Sequence, residues 1–345
     1  MTGNTPAEPM KIYLYSLPEQ FAHCLRMSYQ EVGQCQKPYK NVMVSGLGGS
    51  AIGGDILRAY AFPRALIPVL VNRDYNLPNF VNEATLFIAV SYSGNTEETL
   101  QAYQHAKSRR AQILVISSGG KLTEAAWADG YPVVSIPGGL SPRAASGFLL
   151  APLLLSLESL GILQGVKGDI AETVAVLESL RDLLQPGHEG QSNPAQAIAA
   201  TIKGAIPVIW GSANCTEAAA LRWKAQINEN AKSPAYYNVF PELNHNEIVG
   251  FEAPSGLLAQ MVIIILKDRY DHERVQQRMR ITRSLIEDKV KKVIEVESAG
   301  ESLLARLYSL IYIGDYASYY LALEYGIDPT PVRVIDYLKQ ELAKI

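Results

Sequence analysis

The run Ser91-Tyr92-Ser93-Gly94-Asn95-Thr96-Glu97-Glu98 lies between an apolar stretch, Leu86-Phe87-Ile88-Ala89-Val90, and a helix-forming one, Thr99-Leu100-Gln101-Ala102-Tyr103. A strand that turns directly into a helix constrains the chain strongly. At such a turn the first helical N–H groups lack partners and the helix dipole is positive. Three hydroxyls and a glycine at that point favour a dianionic phosphate monoester without requiring a lysine. A plainer reading makes Asn95 the N-cap, with Glu98 three residues on completing a capping box. Three hydroxyls, a glycine and an amide within six residues exceed what a cap requires.

Strand-like runs alternate with helical patterns along the chain, an order that predicts parallel sheets with helices on both faces. One set of strands falls at 41–44, 66–71, 86–90, 112–116 and 132–136. A second falls at 206–210, 235–239, 259–266 and 292–296. The sets line up: Gly46-Leu47-Gly48-Gly49-Ser50-Ala51 ends the first strand of one, and Gly211-Ser212-Ala213-Asn214 ends the first strand of the other. The expected fold class is therefore α/β, with two related domains, each an open doubly wound parallel sheet of flavodoxin-like type. The expected boundaries are an N-terminal helical segment at 1–40, a first, phosphate-binding domain at 41–150, a helical connector at 151–195 and a second domain with a C-terminal helix at 196–345. Pro186-Gly187 and the segment from Gly190 to Pro194 mark the connector's far end. After the strand ending at Leu266 the second half reads Lys267-Asp268-Arg269-Tyr270, without a Ser/Thr/Gly loop, so phosphate is expected in the first half alone. Ligands in open α/β sheets sit beyond the carboxyl ends of the strands, where all these loops lie.

Gly46, Gly48 and Gly49 resemble a dinucleotide fingerprint only loosely. Asp74 stands where a ribose ligand belongs, but that reading leaves the serine-rich loop unexplained. The alternative has bare backbone at Gly48 and Gly49 approaching a sugar, with Ser50 bonding a hydroxyl or phosphate oxygen. Gly53 and Gly54 suit close helix–sheet packing.

A net charge of −3 supplies no footprint for nucleic acid. No apolar run reaches the roughly 18 residues of a membrane span, and Met1 to Met10 is polar, so no signal peptide is expected and a cytoplasmic protein is. Cys24, Cys35 and Cys215 form no C-x-x-C pair and point to a reducing compartment. The five histidines lack ligand spacing, so no metal site is expected.

Together, Gly46-Leu47-Gly48-Gly49-Ser50 and Ser91-Tyr92-Ser93-Gly94-Asn95-Thr96 resemble the sugar isomerase (SIS) superfamily. Four further segments narrow the likeness. They are Pro137-Gly138-Gly139-Leu140-Ser141-Pro142-Arg143-Ala144-Ala145, Asn228-Glu229-Asn230-Ala231-Lys232, Glu242-Leu243-Asn244-His245-Asn246-Glu247 and Ile335-Asp336-Tyr337-Leu338-Lys339. They resemble the bifunctional phosphoglucose/phosphomannose isomerase family from about residue 40 onward. The resemblance implies two SIS domains and interconversion of glucose 6-phosphate and mannose 6-phosphate with fructose 6-phosphate through a cis-enediol(ate). It implies a homodimer in which His245 crosses the interface. It assigns Glu229 as base, His245 and Lys339 to ring opening, Arg143 to the intermediate, and Ser50, Ser91, Ser93 and Thr96 to phosphate. No cofactor is implied, because proton transfer within one substrate needs neither hydride carrier nor metal.

The chemistry fits these residue types: a carboxylate tuned toward neutrality moves the proton, a cation meets the oxyanion, and an imidazole shuttles between O1 and O5. Locally, each residue also has a plainer reading. Glu229 reads as a solvated charge at a helix end near Lys232, Arg143 as a surface salt bridge and His245 as a surface-loop histidine. Lys339 reads as a solvated lysine on a helix whose apolar face is Ile335 and Leu338. Thr330, in the turn Asp328-Pro329-Thr330-Pro331, is expected to orient the C1–C2 end of the sugar. Two rivals remain at this level: a SIS isomerase for another sugar phosphate, and a sugar-phosphate-sensing SIS protein without turnover.

Overall fold

A computed structural model describes residues 7–35, 38–187 and 193–344. Residues 1–6 and 36–37 of the expected N-terminal segment, and 190–192 at the expected end of the connector, lie outside the described residues.

Two short helices, α1 (Glu8–Tyr15) and α2 (Leu17–Cys24), precede the first sheet. The chain then runs β1 (Asn41–Ser45), α3 (Gly49–Ala61), β2 (Val69–Asn72), β3 (Thr85–Ser91), α4 (Glu97–Ser108), β4 (Gln112–Ser117), α5 (Gly120–Ala128) and β5 (Val133–Ser135). Helices α6 (Ser146–Ser159), α7 (Val166–Leu184) and α8 (Pro194–Ile202) lead to the second sheet. It runs β6 (Ile206–Ser212), α9 (Glu217–Asn230), β7 (Tyr236–Phe240), the short α10 (Ser255–Leu258), β8 (Met261–Lys267), α11 (Glu273–Ile286) and β9 (Lys292–Glu297). Helices α12 (Leu303–Glu324) and α13 (Arg333–Leu342) close the chain.

Both sheets are wholly parallel. The first has the order β2-β1-β3-β4-β5 and the second β7-β6-β8-β9, the same winding with one strand fewer. Helices cover both faces, so central strands are apolar throughout; all seven residues of β3 are buried. The strand pattern read from the sequence holds. The second strand begins three residues later than expected, at Val69, because Leu66 is fully exposed and outside the ladder.

A third layer lies between the sheets. Helix α12 is buried from Leu303 to Ala322 and packs against α7, α8 and α9. A helix that is apolar on all sides requires burial on all sides. Gly314 lets Trp223 of α9 lie against it: a Cβ at that position would sit 2.2 Å from the indole nitrogen, which donates to the Leu310 carbonyl at 2.8 Å. At the adjacent residue of each helix a charged pair crosses the same contact. Arg222 Nε and Nη2 donate to the Asp315 carboxylate at 3.1 and 2.7 Å, with both side chains almost wholly excluded from solvent. Burial pulls the Arg222 guanidinium down, but the charge and hydrogen bonds of Asp315 outweigh it and hold it above its ordinary value.

Helix α13 is strongly amphipathic yet buries none of its residues. Its apolar side chains Val334, Ile335, Tyr337, Leu338 and Leu342 are all exposed. The face expected to pack through Ile335 and Leu338 therefore has no cover among the described residues. Among the described residues, no helix is long and apolar enough to cross a membrane.

Gly314→Ala drives a methyl into Trp223, and equilibrium denaturation should register a loss of about 3 kcal/mol. Asp315→Ala leaves Arg222 buried and unpaired, with an expected loss of roughly 3–5 kcal/mol. Unfolding midpoints like the wild type would contradict either account.

Candidate functional site

Three loops meet at the carboxyl edge of the first sheet, after β1, β3 and β5. Tyr92 ties two of them: its hydroxyl donates to the Pro137 carbonyl and accepts from the Leu140 N–H, both at 3.0 Å. Gly49 lets the third approach, since a Cβ there would lie 2.9 Å from the Pro142 carbonyl oxygen, beside Arg143. Gly94 adopts φ +65°, and a Cβ would fall 1.7 Å from the Gly119 carbonyl oxygen. Only glycine fits this turn.

The expected phosphate ligands converge here. Ser91 Oγ and Thr96 Oγ1 are 2.9 Å apart, Ser50 Oγ accepts from the Tyr92 N–H at 3.3 Å, and Ser93 Oγ accepts from the Asn95 N–H at 3.3 Å. Asn95 is not the N-cap of α4. That position is Thr96, whose side chain makes no capping bond, while Asn95 donates to the Ser93 carbonyl and accepts from the Lys121 N–H at the start of α5. Among the described residues no side chain caps α4, and the hydroxyls of Ser91, Ser93 and Thr96 lie in the turn that leads into it. The second sheet's corresponding edge is filled by its own charge. Ser212 donates to the Asp271 carboxylate at 2.5 Å, which also accepts from the Asp268 N–H, while Asp268 takes Arg306 at 2.8 Å.

Between the halves, Gly48, Gly49 and Ile52 face α9 across a cavity of about 140 Å³, also lined by Arg73, Arg143, Leu221, Arg222, Ala225, Gln226 and Glu229. Glu229 also borders a wider groove of about 650 Å³ that runs toward the start of α13, past Asn228, Lys232 and Asp328. Arg143 is buried rather than part of a surface ion pair, being 5% exposed. Its Nε donates to Asn230 Oδ1 at 2.8 Å and its Nη2 to the carbonyls of Pro329 and Thr330 at 2.7 and 2.8 Å. Its Nη1 stands 3.8 Å from Glu229 Oε2. Burial pulls the Arg143 guanidinium below its ordinary value, opposed by Glu229 and assisted by Arg222. Lys232 is likewise pulled down by burial and by Arg143, and it is tethered to the carbonyls of Glu229 and Pro329 at 2.5 and 3.2 Å.

The structure thus gathers Gly48, Gly49, Arg143 and Glu229 on one cavity. Thr330 joins them through its carbonyl, and its hydroxyl is buried with no partner among the described residues. It does not bring His245 or Lys339 there. His245 lies on an exposed one-turn helix, Glu242–His245, beyond β7, and Lys339 is exposed on α13. Neither lines either cavity. Three residues with no role in the sequence reading belong to the site: Arg73, Lys232 and Asn230. Arg73 reaches the cavity while pairing with buried Asp55, whose carboxyl is raised by burial against the pull of Arg73. A signal for Asn230 was present: Arg222, Gln226 and Asn230 recur every four residues, on one helix face.

A carboxylate beside a buried cation, on a cavity that the Gly48–Gly49 turn also lines, suits proton transfer on a carbonyl compound. Comparisons with known proteins agree. Residues 191–342 match the family described as bacterial phospho-glucose isomerase C-terminal SIS domain. A bifunctional phosphoglucose/phosphomannose isomerase of Caldicellulosiruptor bescii is 49% identical over 96% of this chain and 98% of its own length. A D-glucosamine-6-phosphate 4-epimerase of Sulfolobus acidocaldarius is 31% identical over 88% of this chain and 90% of its own. Among solved structures, the tagatose-6-phosphate ketose/aldose isomerase of Escherichia coli superposes with a TM-score of 0.69 at 15% identity, covering 94% of each chain, which shows a shared fold. The chain belongs to the bifunctional phosphoglucose/phosphomannose isomerase family.

Proposed function

We propose that this chain is an aldose–ketose isomerase that interconverts glucose 6-phosphate and mannose 6-phosphate with fructose 6-phosphate. The observation that carries this is the pairing of Glu229 with Arg143 Nη1 at the cavity, 3.8 Å apart, with no side-chain hydrogen bond to the carboxylate among the described residues. Each sheet with its helices forms a SIS domain. Ser50, Ser91, Ser93 and Thr96 hold the phosphate with the first-turn amides of α4, and Gly48 and Gly49 leave room for the sugar. From the aldose side, Glu229 removes the proton on C2 and the C1 carbonyl electrons move to O1. The resulting cis-enediolate faces Arg143 Nη1. Glu229 then delivers the proton to C1 while the O2 proton passes to O1, and the carbonyl forms at C2. In reverse, protonation of C2 from either face gives either epimer, and the hydroxyl of Thr330, buried without a partner among the described residues, biases that choice.

Ring opening requires the proton shuttle that the protomer does not bring to its own cavity. The same half of the chain exposes the apolar side chains of Tyr236, Tyr237, Val249 and Leu257. A second copy that covers this patch receives His245 at its cavity, so each site combines Glu229 of one protomer with the partner's His245. The uncovered face of α13 places Lys339 at a site by the same assembly.

Purified protein should convert both aldose phosphates to fructose 6-phosphate in coupled assays and should leave C4 of glucosamine 6-phosphate unchanged; binding without turnover would instead mark a sensor. Thr96→Val should raise KM roughly tenfold with kcat nearly unchanged, the cost of one charged hydrogen bond. Thr330→Val should alter the ratio of the glucose and mannose activities, and an unchanged ratio removes its role. Mixing inactive Glu229→Gln with inactive His245→Ala protomers should restore about a quarter of wild-type activity, because half the dimers are mixed and each holds one whole site. No recovery would place His245 outside the shared site.

A further inference from the structure

The guanidinium of Arg143 is held by Asn230, which lines neither cavity, and Asn230 is in turn held by Ser318. We propose that Asn230 is a positioning residue for Arg143 and that Ser318 sets the orientation in which Asn230 does this. The inference deepens the proposed isomerase reading and rests on it.

The bonds run in one direction only. The Ser318 hydroxyl has a single proton, which it gives to the Asp315 carbonyl one turn earlier on α12, at 2.7 Å. Its oxygen is then left as an acceptor, and Asn230 Nδ2 donates to it at 2.9 Å. That fixes the amide: Oδ1 faces the opposite way, toward Arg143 Nε at 2.8 Å. The flipped amide would set an NH2 group against the guanidinium, donor against donor. Ser318 and Asn230 are both wholly buried, so water cannot substitute for either bond.

With Nε held by Asn230 and Nη2 held by two carbonyls, Nη1 is the edge of Arg143 left to face Glu229 and the cavity. A second strut fixes the backbone. Arg222 Nη2 donates to the Arg143 carbonyl at 3.0 Å while its fork grips Asp315, which also accepts from Gln226 at 3.1 Å. Both struts therefore start within one turn of α12, at Asp315 and Ser318, and pass through one face of α9. The Asp315 strut holds the main chain, whereas the Ser318 strut sets the plane of the side chain.

The test is a double-mutant cycle on fructose 6-phosphate turnover. Asn230→Ala should lower kcat roughly 10- to 100-fold through misplacement of the cation. KM should stay within about twofold, since Asn230 and Ser318 bond none of the expected phosphate ligands. In an Arg143→Ala background the same change should cost almost nothing further, because the group it positions is gone. Ser318→Ala, the smaller perturbation, should show the same dependence on Arg143 and decides the matter if Asn230→Ala does not fold. An equal cost in both backgrounds, or a kcat within twofold of wild type, overturns the proposal. Arg143→Ala turning over like wild type would instead overturn the role of Arg143 in the isomerase itself, a failure read from the single variant.

Discussion

The arrangement depends on a fully buried ion pair, Arg222 with Asp315, between two helices from opposite ends of the second half. Two charges out of water are tolerated only with near-ideal geometry and with the remaining donors and acceptors used. Both conditions are met: the fork is bidentate, Gln226 takes up further carboxylate capacity, and the spare Arg222 donor goes to the Arg143 carbonyl. Such a pair has few alternative registers. It fixes α9 against α12, and α9 carries Glu229 and Asn230 at its far end.

The two sheets share a winding but divide the work. In the order β2-β1-β3, the chain reverses between β1 and β3, and a crevice opens beyond the carboxyl ends of those strands. In the first sheet that crevice is flanked by the Gly48–Gly49 turn and the hydroxyl loop, with no side chain capping α4 among the described residues. In the second, Asp271 occupies the equivalent place, accepting from Ser212 as an anionic ligand would. The second half thus supplies functional groups from a helix flank and a helix end instead of from its crevice.

How much of this was legible in the sequence varied with the range of the interaction. The strands, the doubled winding and the turn at 91–96 rest on neighbours in sequence, and they read directly. Helix α12 did not, because a segment buried on all sides has no polar face and so no period. Arg143 read locally as a surface charge; its partners Asn230 and Thr330 lie 87 and 187 residues away. The plainer reading of Asn95, as a cap, rests on the commonest use of such a side chain, whereas here it bonds to the start of the next helix. His245 and Lys339 entered by resemblance alone, and a single protomer gives neither of them a partner at the cavity.

The most direct measurement follows hydrogen exchange into fructose 6-phosphate in D2O by NMR. If one carboxylate carries the proton between C1 and C2, wild type should incorporate deuterium at one prochiral position of C1. Glu229→Gln should still bind the sugar and incorporate none. Exchange by Glu229→Gln at the wild-type rate, or random labelling of both C1 positions, would contradict the account.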